Sequence, residues 1–231
     1  MSGYFSSHLE VLLLINNMKS HKSKIYLIGG GEMGLGETEV IDTSFLDSAD
    51  KKDPILFFPV AAFDSVDYTN LVTEKFKLIS NVNVIGVPST TENTLAKKRI
   101  EEAGGIYLGG GLTENLVNYF KKNNLVEVLQ KKINSGMPVA GMSAGALALA
   151  EWYIHEDRGG QFEIREGWGI LPNTCVYVHA ETSKIREVVK LIKENKYTKN
   201  CKIYGIQDKA ALLVKEGDKL TKIGNAQVWV V

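Results

Sequence analysis

The chain has 231 residues, and its 27 basic side chains are balanced by 27 acidic ones. A net charge of zero excludes the basic footprint of a nucleic-acid binder and a polybasic membrane patch, and no apolar run approaches the roughly 20 residues a membrane helix needs. Two cysteines, Cys175 and Cys201, are too few for a disulfide framework or a thiolate metal cage and are expected as buried free thiols in a reducing cytoplasm.

The first 24 residues include the apolar run Val11-Leu12-Leu13-Leu14-Ile15. The run lacks a basic stretch before it and a small-residue cleavage site after it, so it does not read as a signal peptide. Residues 1–24 are expected to be an extension, either a short extra helix or the consequence of a later true start at Met18. Residues 25–231 are expected to form a single α/β domain. A first strand is predicted over 24–28, running into Gly29-Gly30-Gly31, with a helix beginning near Glu37 or Thr38. Gly29, Gly31 and Gly34 fit the letters of a dinucleotide-binding loop. That motif needs an acid at the end of the second strand, and the strand predicted over 55–59 continues instead into Val60-Ala61-Ala62. Glycines that let the chain turn tightly are the simpler reading. Further on, helical spacing is predicted over 67–78, 92–103, 113–120 and 126–133. Strands are predicted over 82–87 and 105–108, the latter stopping at Gly109-Gly110-Gly111. A fifth strand, from Met137, enters Gly141-Met142-Ser143-Ala144-Gly145. Alternating strands and helices argue for a parallel sheet covered on both faces, with ligands beyond the carboxyl ends of the strands. Both glycine triplets and Ser143 fall at those ends. Beyond them lie a hairpin within 153–168 and a strand over 175–178 that delivers His179. A helix over 183–193 and a strand over 202–206 ending at Gln207-Asp208 follow. Last come antiparallel edge strands over 211–214 and 227–231, joined by turns at Gly217 and Gly224.

Strand, Gly-X-Ser-X-Gly, helix is the pattern of a nucleophile elbow, in which a tight turn lifts the serine hydroxyl above the sheet at a helix N-terminus. A serine nucleophile needs a base and an acid that orients the base. Of four histidines, His179 alone follows a strand end at the expected crevice. Asp208, at another strand end, is the favoured acid. Asp157 is the alternative, and Glu181 a third candidate. Ala144 N–H, with Gly110 or Gly111, would form an oxyanion hole. No residue pattern calls for a metal or a cofactor.

With these residues in place, the chain resembles the S51 serine peptidases, the family of aspartyl dipeptidase and cyanophycinase. The likeness runs from Ile25 onward. It is carried by Gly109-Gly110-Gly111, the Gly141–Ala146 stretch, Gly169-Ile170-Leu171-Pro172 leading to His179, and Gly205-Ile206-Gln207-Asp208. Phe57-Phe58-Pro59-Val60-Ala61 with Tyr68-Thr69 adds to it. The resemblance implies a class I glutamine amidotransferase-like, flavodoxin-like three-layer α/β sandwich with a mostly parallel sheet. It also implies a Ser-His-acid triad that cleaves short peptides at aspartyl residues. Leu112, Thr113 and Asn115 then fall in the substrate-recognition loop, and Lys184 and Arg186 are the cations nearest His179 in sequence. The expected partner is a small peptide, with a homodimer as a further expectation. Two other readings remain: a catalytically silent relative that binds a small ligand, and an esterase using the same elbow. The esterase order places histidine near the C-terminus, whereas about 50 residues follow His179. A glutamine amidotransferase would carry cysteine at position 143.

Overall fold

The computed structural model describes residues 23–231 except 216 and 218. The apolar run and Met18 of the expected extension lie outside the described residues. The order of elements is β1 (Lys24–Ile28), a 3-10 turn (Met33–Leu35), α1 (Glu39–Ser48), β2 (Ile55–Phe58), a second 3-10 turn (Val60–Ala62), α2 (Val66–Ser80), β3 (Val84–Gly86), α3 (Asn93–Glu102), β4 (Gly105–Leu108), α4 (Thr113–Lys122), α5 (Val126–Asn134) and β5 (Val139–Met142). It continues through α6 (Ala144–Leu149), β6 (Ala150–Glu156), β7 (Phe162–Glu166), β8 (Leu171–Val178), α7 (Ile185–Glu194), β9 (Lys202–Ile206), β10 (Ala210–Lys215), β11 (Lys219–Gly224) and β12 (Val228–Val230).

The first sheet has the strand order β11-β10-β1-β5-β4-β2-β3. Its five strands from β1 to β3 run parallel. Their sequences are short apolar runs, such as Ile55-Leu56-Phe57-Phe58, because both faces are buried. Alternate residues serve opposite sides. Tyr26, Phe57 and Tyr107 meet Phe45 of α1 and Phe76 of α2, with Phe76 and Tyr107 edge to face at 5.2 Å. Leu27, Phe58 and Leu108 face α3 to α6, where Phe120 stacks on Trp168 at 4.5 Å. Helix, sheet, helix is the expected sandwich. Local chemistry agrees with it: Ser65 caps α2 by accepting from Tyr68 N–H. Helix α4 carries Glu114 in its first turn and Lys121 and Lys122 in its last, matching its dipole.

The second sheet, β12-β9-β8-β6-β7, is a finding beyond the single sheet the sequence pattern suggests. Helix α6, buried throughout, lies between the sheets, while α7 covers the far side through Val188 and Ile192. The expected hairpin within 153–168 is the β6–β7 pair. The C-terminal expectation needs correction. Strand β10 is antiparallel but interior, flanked by β1 and β11, and β12 is an edge of the other sheet, on β9. Strand β11, read from sequence as part of the connection, carries Lys219 and Lys222 on an outer edge, where lysines discourage further pairing. Cys175 and Cys201 are both buried and free.

One acid lies inside the sandwich. Asp42 is 1% exposed, accepting from Thr38 Oγ1 at 2.6 Å and Tyr107 Oη at 3.2 Å. Burial pushes its carboxyl up to about 6, against the pull of those two hydrogen bonds. The same burial holds the Tyr107 phenol well above its ordinary range.

Candidate active site

Three loops meet at the carboxyl ends of β1, β4 and β5, neighbouring parallel strands of the first sheet and the ends at which such sheets bind ligands. Ser143 leaves β5, and its N–H donates to Ile28 O at 2.9 Å, locking the turn to β1. The turn is sharp. Ser143 has φ 48 and ψ −106, a region that costs a non-glycine residue about 1–3 kcal/mol. Helix α6 starts immediately and packs hard on the sheet, so that a Cβ at Gly145 would meet the Leu108 carbonyl. This is why small residues flank the serine.

His179 comes from the other sheet, at the end of β8, and Asp208 from the loop joining β9 to β10. Ser143 Oγ lies 2.7 Å from His179 Nε2, and His179 Nδ1 lies 2.5 Å from Asp208 Oδ1. The carboxylate fixes Nδ1 as the protonated nitrogen, leaving Nε2 to accept from the serine hydroxyl. Two more residues here have left-handed backbone, His179 at φ 50 and Lys209 at φ 64. The Gly29-Gly30-Gly31 loop explains how they are held. Gly29 O accepts from His179 N–H at 3.3 Å, and Gly30 O from Lys209 N–H at 3.0 Å. A Cβ on Gly30 would overlap both the His179 ring and the Asp208 carboxylate. The triplet is therefore the seat of the histidine and the acid.

Gly110 packs beside the serine, 3.6 Å separating its Cβ direction from Ser143 Cβ. Its N–H donates to Tyr68 Oη at 3.4 Å. Burial pushes the Tyr68 phenol up to about 12, so it stays a neutral hydroxyl at any physiological pH. The ring meets Phe57 edge to face at 4.9 Å. Ala144 is the first residue of α6, and its N–H has no acceptor within the helix. Around these groups opens a cleft of about 550 Å³, lined by both glycine loops, Ser143, His179, Asp208, Tyr68, Glu32 and Glu37. Tyr68 entered the sequence reading only through resemblance, and Glu32 and Glu37 were missed, because nothing local marks an acid in a glycine-rich loop as facing a cleft 110 residues downstream.

The other expected residues, Gly111 apart, lie outside this cleft. Asp157 sits in the β6–β7 turn, its Oδ1 accepting from Gly159 N–H at 2.7 Å and Gln161 N–H at 2.9 Å. Glu181 pairs with Lys184 at 2.8 Å. Gly111 lines the cleft, while Leu112 donates its N–H to Ala61 O at 2.7 Å and keeps 42% of its surface exposed. Thr113 is buried, and Asn115 opens with Phe63 and Tyr119 onto a separate hollow of about 360 Å³. Among the described residues, no group of three His, Cys, Asp or Glu side chains is placed to hold a metal ion, and no helix is long and apolar enough to cross a membrane.

Comparison with known proteins places this chain in a family. The model of peptidase family S51 matches residues 25–223. The uncharacterized peptidase YgaJ of Bacillus subtilis (strain 168) is 27% identical over 195 residues, 82% of each chain. Peptidase E of Shewanella sp. (strain W3-18-1) is 29% identical over 91 residues, 39% of this chain and 38% of that protein. The fold matches the crystal structure of a peptidase from an acI-B1 Actinobacterium, with TM-score 0.71 at 20% identity over 93% of both chains. It also matches a putative peptidase E from Listeria monocytogenes EGD-e, with TM-score 0.63 at 15% identity over 89% of this chain and 100% of that one. With most of its length under one family model, the chain belongs to peptidase family S51 and is a serine hydrolase of the peptidase class.

Proposed function

We propose that this protein hydrolyses short peptides through a triad of Ser143, His179 and Asp208. The observation that carries the reading is the unbroken chain from Ser143 Oγ through His179 to Asp208, at 2.7 and 2.5 Å, built on a serine in a strained strand-to-helix turn. Ser143 Oγ attacks the scissile carbonyl carbon while His179 Nε2 takes the hydroxyl proton. Asp208 keeps the imidazole oriented and stabilises the imidazolium. The negative charge on the carbonyl oxygen is met by Ala144 N–H and by Gly110 N–H, which turns from Tyr68 Oη toward the substrate. The imidazolium gives its proton to the leaving amine, and the acyl group stays on Ser143. A water, deprotonated by His179, then releases the acid and restores the serine. No cofactor enters any of these steps.

The test is labelling by a fluorophosphonate probe, mapped by mass spectrometry, beside hydrolysis of a dipeptide panel. Ser143 is expected to be the labelled residue. Ser143→Ala is expected to lose at least about 10³-fold in kcat, the scale on which a missing nucleophile acts. Undiminished hydrolysis by Ser143→Ala, or a label on another residue, refutes the assignment.

A further inference from the structure

The chemistry above leaves open which peptide enters the cleft, and the charges on its wall speak to that. The resemblance to aspartyl peptidases calls for a cation to grip a substrate carboxylate. Lys184 is held by Glu156 at 2.6 Å and by Glu181, and neither Lys184 nor Arg186 lines the cleft. Lys209, next to Asp208 in the chain, is in an ion pair with Glu37 at 2.5 Å. Lys75 donates to Gly34 O and faces a neighbouring hollow with Glu39 and Asp42. Among the described residues, no unpaired lysine or arginine lines the cleft.

The acids are distributed differently. Asp208 is engaged by His179 and Glu37 by Lys209. Glu32 remains, exposed on the cleft wall, and no cation among the described residues pairs with its carboxylate. Its backbone is well fixed. Its N–H donates to Glu37 Oε2 at 2.9 Å, and its carbonyl accepts from Leu35 and Glu37 N–H at 3.0 and 3.3 Å. It stands two residues beyond Gly30, the glycine beneath His179 and Asp208, and therefore within about 7 Å of chain from that contact. The Glu37–Lys209 pair holds this loop in place while cancelling its own charge, and Asp208 keeps its charge behind the neutral His179 ring, on the side away from Ser143, so Glu32 is the uncompensated carboxylate of the cleft wall that the triad does not engage.

Resting on the serine-peptidase reading, we infer that the cleft takes peptides with a positive charge beside the scissile bond, recognised by Glu32, and disfavours aspartyl peptides. The positive group is an ammonium or guanidinium, carried by a free peptide N-terminus or by a lysine or arginine side chain. At a wet rim, a charge about 4 Å from one carboxylate changes an affinity by about tenfold. Replacing an attracted cation by a repelled anion therefore changes kcat/KM by about a hundredfold.

The experiment compares Lys-Ala, Ala-Ala and Asp-Ala dipeptides with free N-termini, and N-acetyl-Lys-Ala beside N-acetyl-Ala-Ala. Hydrolysis is measured with wild type and Glu32→Gln, and binding by calorimetry with Ser143→Ala. Wild type is expected to favour Lys-Ala over Asp-Ala by about a hundredfold. Glu32→Gln is expected to bring that ratio within about threefold. The ratio is taken within one protein, so it does not depend on how much of a variant folds. Loss of Ala-Ala cleavage on acetylation assigns the recognised group to the N-terminus, and retention of N-acetyl-Lys-Ala over N-acetyl-Ala-Ala assigns it to the side chain. A preference for Asp-Ala, or a Lys preference that survives Glu32→Gln, overturns the inference. Failure of the peptidase reading shows itself separately, as absent cleavage and absent Ser143 labelling. The binding order on Ser143→Ala still reads the charge preference in that case, and tighter Asp-Ala binding overturns it there.

Discussion

Gly30→Ala isolates the claim that the first glycine loop seats the histidine. A Cβ on Gly30 stands 2.6 Å from His179 Nδ1, where ordinary contact starts at 3.4 Å. The backbone there is pinned by the hydrogen bonds to His179 and Lys209. The ring and the Asp208 carboxylate are free at their solvent side, 53% and 51% exposed, so they are what moves, by about 1 Å. A misplacement of that size costs about 10²-fold in rate, or about 2.7 kcal/mol of barrier. The alanine is also strained at φ +152, costing about 1–3 kcal/mol of stability and lowering Tm by roughly 2–12 °C in a chain of this size. Phosphonate labelling of Ser143 and peptide hydrolysis should each fall about a hundredfold, with the far-UV circular dichroism retained. Gly34→Ala is the control: no atom lies within 4 Å of its added Cβ, and activity and Tm should stay at wild-type values although the dinucleotide-like letters are broken. A folded Gly30→Ala protein with full activity would refute the argument that this glycine sets the pose of His179.

Two further outcomes follow from the geometry. Asp208→Asn leaves His179 Nδ1 facing an amide and should lower kcat by about 10³- to 10⁴-fold, whereas Asp157→Asn should leave it within about twofold; the reverse order in steady-state assays would move the orienting acid to the hairpin. Asp42 supplies a stability signature. Its carboxyl, raised from 3.8 to about 6, binds its proton more tightly in the folded protein than in the unfolded chain. The stabilisation is therefore complete below about pH 4 and is lost as pH rises through 6, by about 3 kcal/mol. Asp42→Asn should remove that decline, so that urea unfolding of the variant gains on wild type between pH 4 and 7, and parallel profiles would contradict it.

The parallel strands were legible because a strand buried on both faces must be a short apolar run, as at Ile55–Phe58. Ser143 was legible because an elbow demands glycine on both sides of it. The second sheet was harder to read. Strands β6 and β8 pair in parallel across a register shift between Ala150 and Trp152, and their residues alternate too irregularly to announce a sheet of their own. Strand β11 hid behind its lysines. The role of Gly30 was illegible in principle, because it depends on side chains about 150 and 180 positions away. Glu32 was overlooked for the same reason. Its importance lies in which neighbouring charges are already cancelled, and pairing such as that of Glu37 with Lys209 is a property of the folded chain.

Ser143 is carried by the seven-stranded sheet, His179 by the five-stranded one, and Asp208 by the link between them. On the proposed mechanism, the serine is armed only while the two sheets are docked. A fluctuation that parts them leaves an alcohol in a tight turn with nothing to receive its proton, although each sheet keeps its own hydrogen bonds. Partial opening is thus an off state. Among bystander peptide bonds, a copy that is half assembled, or beginning to come apart, is inert rather than indiscriminate.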